Sequence, residues 1–150
     1  TLALAEGALF LLIAPLVGLS ITPAGLLVVA AAAVLMALGF TALGFLFAWR
    51  RESVRGFHAI MNLILFPLWI LSGAFFPPEG APQVLQWIIR LNPVTYGVSA
   101  LRQGIYWPAS APAAGSGLGV SLGVLAITAA VLIGAAVYLV RRPLFGGAGS

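Results

Sequence analysis

The chain contains no cysteine, no lysine and no aspartate in its 150 residues. Without cysteine there is no disulfide, no thiol chemistry and no thiolate metal site. Without lysine there is no phosphate-binding loop of the GxxxxGK[ST] kind, so the chain cannot itself hold ATP in that way. Charge of either sign is scarce: 7% of residues are charged, against about 25% in a water-soluble domain. So few charges cannot cover a water-facing surface. Apolar sequence is what the chain has in abundance, with 62% hydrophobic residues and a mean hydropathy of +1.14, and it reads as membrane-embedded.

All seven basic residues are arginine. They stand in ones and twos along apolar sequence, so the net charge of +4 is not a nucleic-acid signature. Their placement reads as topology instead. The first residue is Thr1, and no basic segment precedes the first apolar run, which argues against a signal peptide. The chain reads as the C-terminal part of a longer membrane protein, ending in a Gly-rich tail at 146–150.

A helix rises about 1.5 Å per residue, so crossing the ~30 Å hydrocarbon core takes roughly 20 apolar residues. Four stretches qualify, at about 2–19, 25–49, 57–76 and 118–140. Arg50, Arg51 and Arg55 lie between the second and third, and Arg141 and Arg142 follow the fourth. Two crossings separate these clusters, so they share one side, which the positive-inside rule makes cytoplasmic. The connection 77–117 then faces outward.

That connection is itself ordered. Pro77 and Pro78 stop the third span, because proline lacks the amide a continuing helix needs. Pro82 and Pro93 suit first helical positions, and Asn92 offers a side-chain cap. Val84, Leu85, Ile88 and Ile89 share one helical face, and Val94, Val98, Leu101 and Ile105 form the next apolar stripe. Each helix is about half a bilayer long, which predicts a re-entrant hairpin at about 81–106 dipping into the outer leaflet. Trp87, Tyr96, Tyr106 and Trp107 suit interfacial depth, and 108–117 reads as an outer loop. The fold class expected is all-α integral membrane, with four spans and a two-helix hairpin between the last two.

Enzymatic chemistry finds little support. The one histidine, His58, is 14 residues from Ser72 on the same predicted helix, about 21 Å along its axis. It reads as an interfacial polar residue. Glu6, Glu52 and Glu79 are far apart in sequence and on different elements, which argues against a metal site. Glu6 reads as interfacial, the alternative being a functional carboxylate at membrane depth. Arg90 and Arg102 either touch an anionic cargo or lipid headgroup, or snorkel to the outer interface. Gly119 and Gly123 make a GxxxG that, in lipid, favours helix packing, against ordinary glycine usage in membrane helices. Pro67 is expected to kink the third span, and Gly73 and Pro77 to loosen its outer end.

With these residues laid out, the chain resembles the ABC-2 type membrane domain of ATP-binding-cassette exporters. The resemblance rests on L-S-G-x-x-x-P at 71–77, N-P-x-T-Y at 92–96 and A-L-R at 100–102, in that order. It implies that the four spans correspond to the last four of six and that two permease domains pair. ATP would be hydrolysed on a partner nucleotide-binding subunit, driving outward passage of drugs, lipids, or lipid-linked and polymeric saccharides. No cofactor is implied on this chain. Pro67, Ser72, Gly73, Pro77, Asn92, Pro93, Tyr96 and Arg102 are expected to build the outer gate. Arg50, Arg51, Glu52 and Arg55 are candidates for cytoplasmic contact. An ion-coupled secondary carrier using Glu6, and a non-transporting assembly subunit, are the alternatives.

Overall fold

A computed structural model of the chain describes residues 2–19, 21–49, 54–74, 82–108 and 117–141. Among the described residues every regular element is helical. In chain order these are α1 (Leu2–Ile13), α2 (Pro23–Ala48), α3 (Val54–Trp69), α4 (Gln83–Leu91), α5 (Pro93–Ile105) and α6 (Leu118–Arg141).

Among the described residues two helices are long and apolar enough to cross a membrane: α2, with 26 residues, and α6, with 24. The expected spans at 2–19 and 57–76 are each interrupted. In the first, Pro15 has no amide to donate to a carbonyl one turn back. The α-helix therefore stops at Ile13 and continues as a 3-10 turn, Ala14–Val17. Gly18 closes that turn at φ 83°, its amide reaching the carbonyls of Ala14 and Pro15. In the second, Pro67 lies inside α3, and the chain widens after Trp69 into a π-helical turn, Ile70–Ala74. The start of α2 is sharply defined: Pro23 opens it, and Thr22 accepts a hydrogen bond from the Gly25 amide at 3.1 Å.

The core lies where α2, α5 and α6 meet, around Ala32, Ala100 and Leu125. The packing fixes relative directions. Gly25 of α2 meets Gly104 of α5, and Met36 meets Gly97, so α5 runs antiparallel to the first half of α2. Ala32 of α2 shares the core with Leu125, and seven residues on Gly39 faces the Ala129 backbone, so α2 and α6 run parallel. The Met61 methyl of α3 lies over Gly44, while Leu68 lines a cleft with Leu35 and Met36, so α3 returns antiparallel to α2.

The apolar stripes of the short helices are only partly packed. On α5 only Val94 of the apolar stripe is buried; Val98, Leu101 and Ile105 are half-buried. The packed side is Thr95, Gly97, Ser99, Ala100, Gln103 and Gly104. On α4 only Ile89 is buried, while Val84, Trp87 and Ile88 are exposed. In hydrocarbon, apolar side chains gain nothing by turning inward, so close approach of small residues and pairing of polar groups decide which face packs.

Candidate functional site

The residues that build the most closely tied corner of the molecule all come from the α3 end and the α4–α5 junction. Pro67 leaves the Leu63 carbonyl without its usual donor, and the π turn begins three residues later. Two successive carbonyls at this transition take side-chain donors. Asn92 donates from Nδ2 to the Leu68 carbonyl at 2.6 Å, and Ser72 donates from its hydroxyl to the Trp69 carbonyl at 2.6 Å.

Asn92 also works in the other direction. Its Oδ1 accepts from the Val94 amide at 2.9 Å and so caps α5, with Pro93 in the first helical position. Thr95 donates from Oγ1 to the Ile89 carbonyl at 2.8 Å, and Tyr96 from its hydroxyl to the Arg90 carbonyl at 2.8 Å. These are carbonyls of the last turn of α4, which a helix end leaves without intrahelical partners. Each polar residue of N-P-x-T-Y thus satisfies a terminus of α3, α4 or α5. Asn92, Thr95 and Ser72 are buried. Unpaired polar groups at such positions would cost about 1–3 kcal/mol each. Further along α5, Gln103 donates from Nε2 to the Ser99 hydroxyl at 3.0 Å and to the Ser99 carbonyl at 3.3 Å, and Ser121 of α6 is fully buried.

The structure brings Pro67, Ser72, Asn92, Pro93 and Tyr96 to this one corner, with Gly73 in the π turn. Arg102 stands apart, exposed in the last turn of α5, and Arg90 is exposed at the end of α4. Glu6 is exposed on α1 and His58 is exposed on α3. Pro77, Arg50, Arg51 and Glu52 lie outside the described residues, and Arg55 falls in the first turn of α3. Gly119 and Gly123 do not pack within the chain: a Cβ at either meets no atom within 4 Å. The close approaches are at Gly25, Gly97 and Gly104 instead. A Cβ on Gly104 would sit 2.7 Å from Val29 Cγ2 and 2.9 Å from the Gly25 carbonyl oxygen. A Gly97–Ala100–Gly104 spacing on α5 is the available signal, and it is hidden because polar residues interleave it. Sequence reasoning also missed Thr95, Ser99, Gln103 and Ser121 as buried polar positions.

Beneath the corner lies a partly open apolar cleft of about 60 Å³, lined by residues of α2 and α6 together with Leu68, Pro93 and Val94. Among the described residues no three His, Asp or Glu side chains gather in one place.

Long apolar helices, outward-facing aliphatic side chains and an interior of small and hydrogen-bonded polar residues define a polytopic helical membrane protein. The chain belongs to the ABC-2 type transporter family, whose model matches residues 1–106. It is thus a membrane permease domain of the ABC transporter class, a family that transports and is not itself catalytic. The match ends at the close of the α5 region, so α6 lies beyond it although α6 packs into the same core. No curated protein and no solved structure matches the chain.

Proposed function

We propose that the chain is the membrane-spanning part of an ABC exporter, pairing with a second permease domain and powered by ATP hydrolysis on a partner subunit. Its cargo would be a drug, a lipid, or a lipid-linked or polymeric saccharide. In this reading α1 with its 3-10 turn, α2, α3 with its π turn, and α6 are four crossings of the cell membrane, with the C-terminus cytoplasmic. The parallel run of α2 and α6 supports this, because the chain must then cross an odd number of times between them. Residues 54–74 supply that crossing, with 21 residues or about 31 Å. The observation that carries the gate reading is α5. It is 13 residues long and, from a capped start beside the middle of α2, runs back along it, with Gly97 level with Met36 and Gly104 level with Gly25. That is a re-entrant helix filling the outer half of the bundle.

The test uses the full-length protein with its ATP-binding subunit in sealed vesicles. ATP-dependent movement of an amphipathic fluorescent cargo is expected, and replacing Asn92 and Pro93 together should abolish it. Movement that continues without the ATP-binding subunit and follows an imposed proton gradient would establish the ion-coupled carrier instead.

A further inference from the structure

The Asn92 amide holds the Leu68 carbonyl, and the Leu68 side chain lines the cleft that Pro93 and Val94 also line. The bond joining hairpin tip to helix end therefore sits on the wall of an apolar cleft. In an α-helix the Leu68 carbonyl would take the Ser72 amide, four residues on. A π turn holds one residue more per turn. Reverting to α geometry would advance the residues beyond the turn by about 1.5 Å and rotate them by about 100°. In the observed arrangement the Leu68 carbonyl accepts from Asn92; in a continuous α-helix its in-line donor would be the Ser72 amide. Ser72 belongs to the same transition, since its hydroxyl satisfies the neighbouring Trp69 carbonyl.

We propose that Asn92 is a positioning residue for transport: its amide latches the hairpin tip to the π turn of α3, and the cleft beneath is the space into which the tip moves when the latch opens. This rests on the reading of α4–α5 as the outer gate. The elements on either side favour such a motion. Thr95 and Tyr96 clamp α4 to α5, so the hairpin moves as one body. Pro67 sits five residues before Ser72, and its missing amide keeps α3 from resisting a bend there. The cleft lining is apolar apart from Thr128, so no buried polar partner opposes entry of Pro93 and Val94.

The experiment is a distance measurement between spin labels at Phe66 and Leu91 in the full-length protein with its ATP-binding subunit, in vesicles. Both positions are exposed, so labels there leave the packing intact. Asn92→Ser keeps a hydroxyl able to cap the Val94 amide but too short to reach Leu68. It should raise the population of a second distance about tenfold, the ratio expected for one net hydrogen bond. Pro67→Ala, which restores an amide to α3 and stiffens it against the bend, should deplete the same second distance. Leu132→Trp, filling the cleft, should suppress it in the Asn92→Ser background. An unchanged distance distribution in both Asn92→Ser and Pro67→Ala overturns the latch. A second distance indifferent to Leu132→Trp overturns the role of the cleft. If distances shift as expected while ATP-dependent export is absent in every variant, the latch stands and the exporter reading falls.

Discussion

α1 and α5 differ in composition, and their burial is the reverse of what composition suggests. α1 is LALAEGALFLLI, almost wholly apolar, yet Leu9, Phe10 and Leu12 are all exposed. α5 is PVTYGVSALRQGI, close to half polar or glycine, yet seven of its thirteen residues are buried. In water the assignments would be exchanged. In hydrocarbon an apolar side chain is at home on the outside, and what earns an interior place is small size or a hydrogen-bond partner.

The strongest way to break this comparison is at the tightest contact of α5. Gly104→Leu would drive a side chain into Val29 and the Gly25 backbone, and a loss of at least about 3 kcal/mol is expected, read as collapse of the thermal transition of the detergent-solubilised full-length protein. Next comes Gln103→Leu, which removes the donor that Ser99 accepts in a buried site. A loss of about 1–2 kcal/mol is expected in the same assay. Thr95→Val, nearly isosteric, takes away one bond to the Ile89 carbonyl and should cost about 1 kcal/mol, with faster amide exchange at the end of α4. At the other end of the scale, Phe10→Ala on α1 should change stability by less than about 0.5 kcal/mol, because nothing packs on it to lose. Gly123→Leu on α6 should be as mild in the isolated permease. If it becomes costly only in the paired permease, as judged by inter-copy cross-linking, the GxxxG face belongs to the contact between copies.

The sequence reading and the structure agree where the backbone itself dictates the outcome. Pro93 takes the first helical position of α5 as expected, where a missing amide is harmless, while Pro82 stands one residue earlier, as the N-cap of α4. Pro23, expected in a connection, opens α2 for the same reason. Asn92 is legible as a cap for the same local reason. The bond from Asn92 to Leu68 spans 24 residues, and no local rule could reveal it. The apolar stripes of α4 and α5 are genuine stripes but only partly the packed faces, since periodicity reports which side is apolar and not what lies opposite. GxxxG at Gly119 and Gly123 is conspicuous because its spacing is simple, whereas Gly97, Ala100 and Gly104 do the packing within the chain.

Composition together with the apolar runs of about 20 residues determined that this is a helical membrane chain. With 7% charged residues it cannot face water, and backbone in hydrocarbon must satisfy its own hydrogen bonds. The prolines and caps determined most of the helix boundaries. Only the tertiary structure decided which helices are neighbours, that α2 and α6 run parallel, and that Asn92 joins the hairpin tip to the π turn of α3. Those outcomes depend on which small and polar groups meet across distant segments, and in lipid that complementarity, not hydrophobicity, selects the interior.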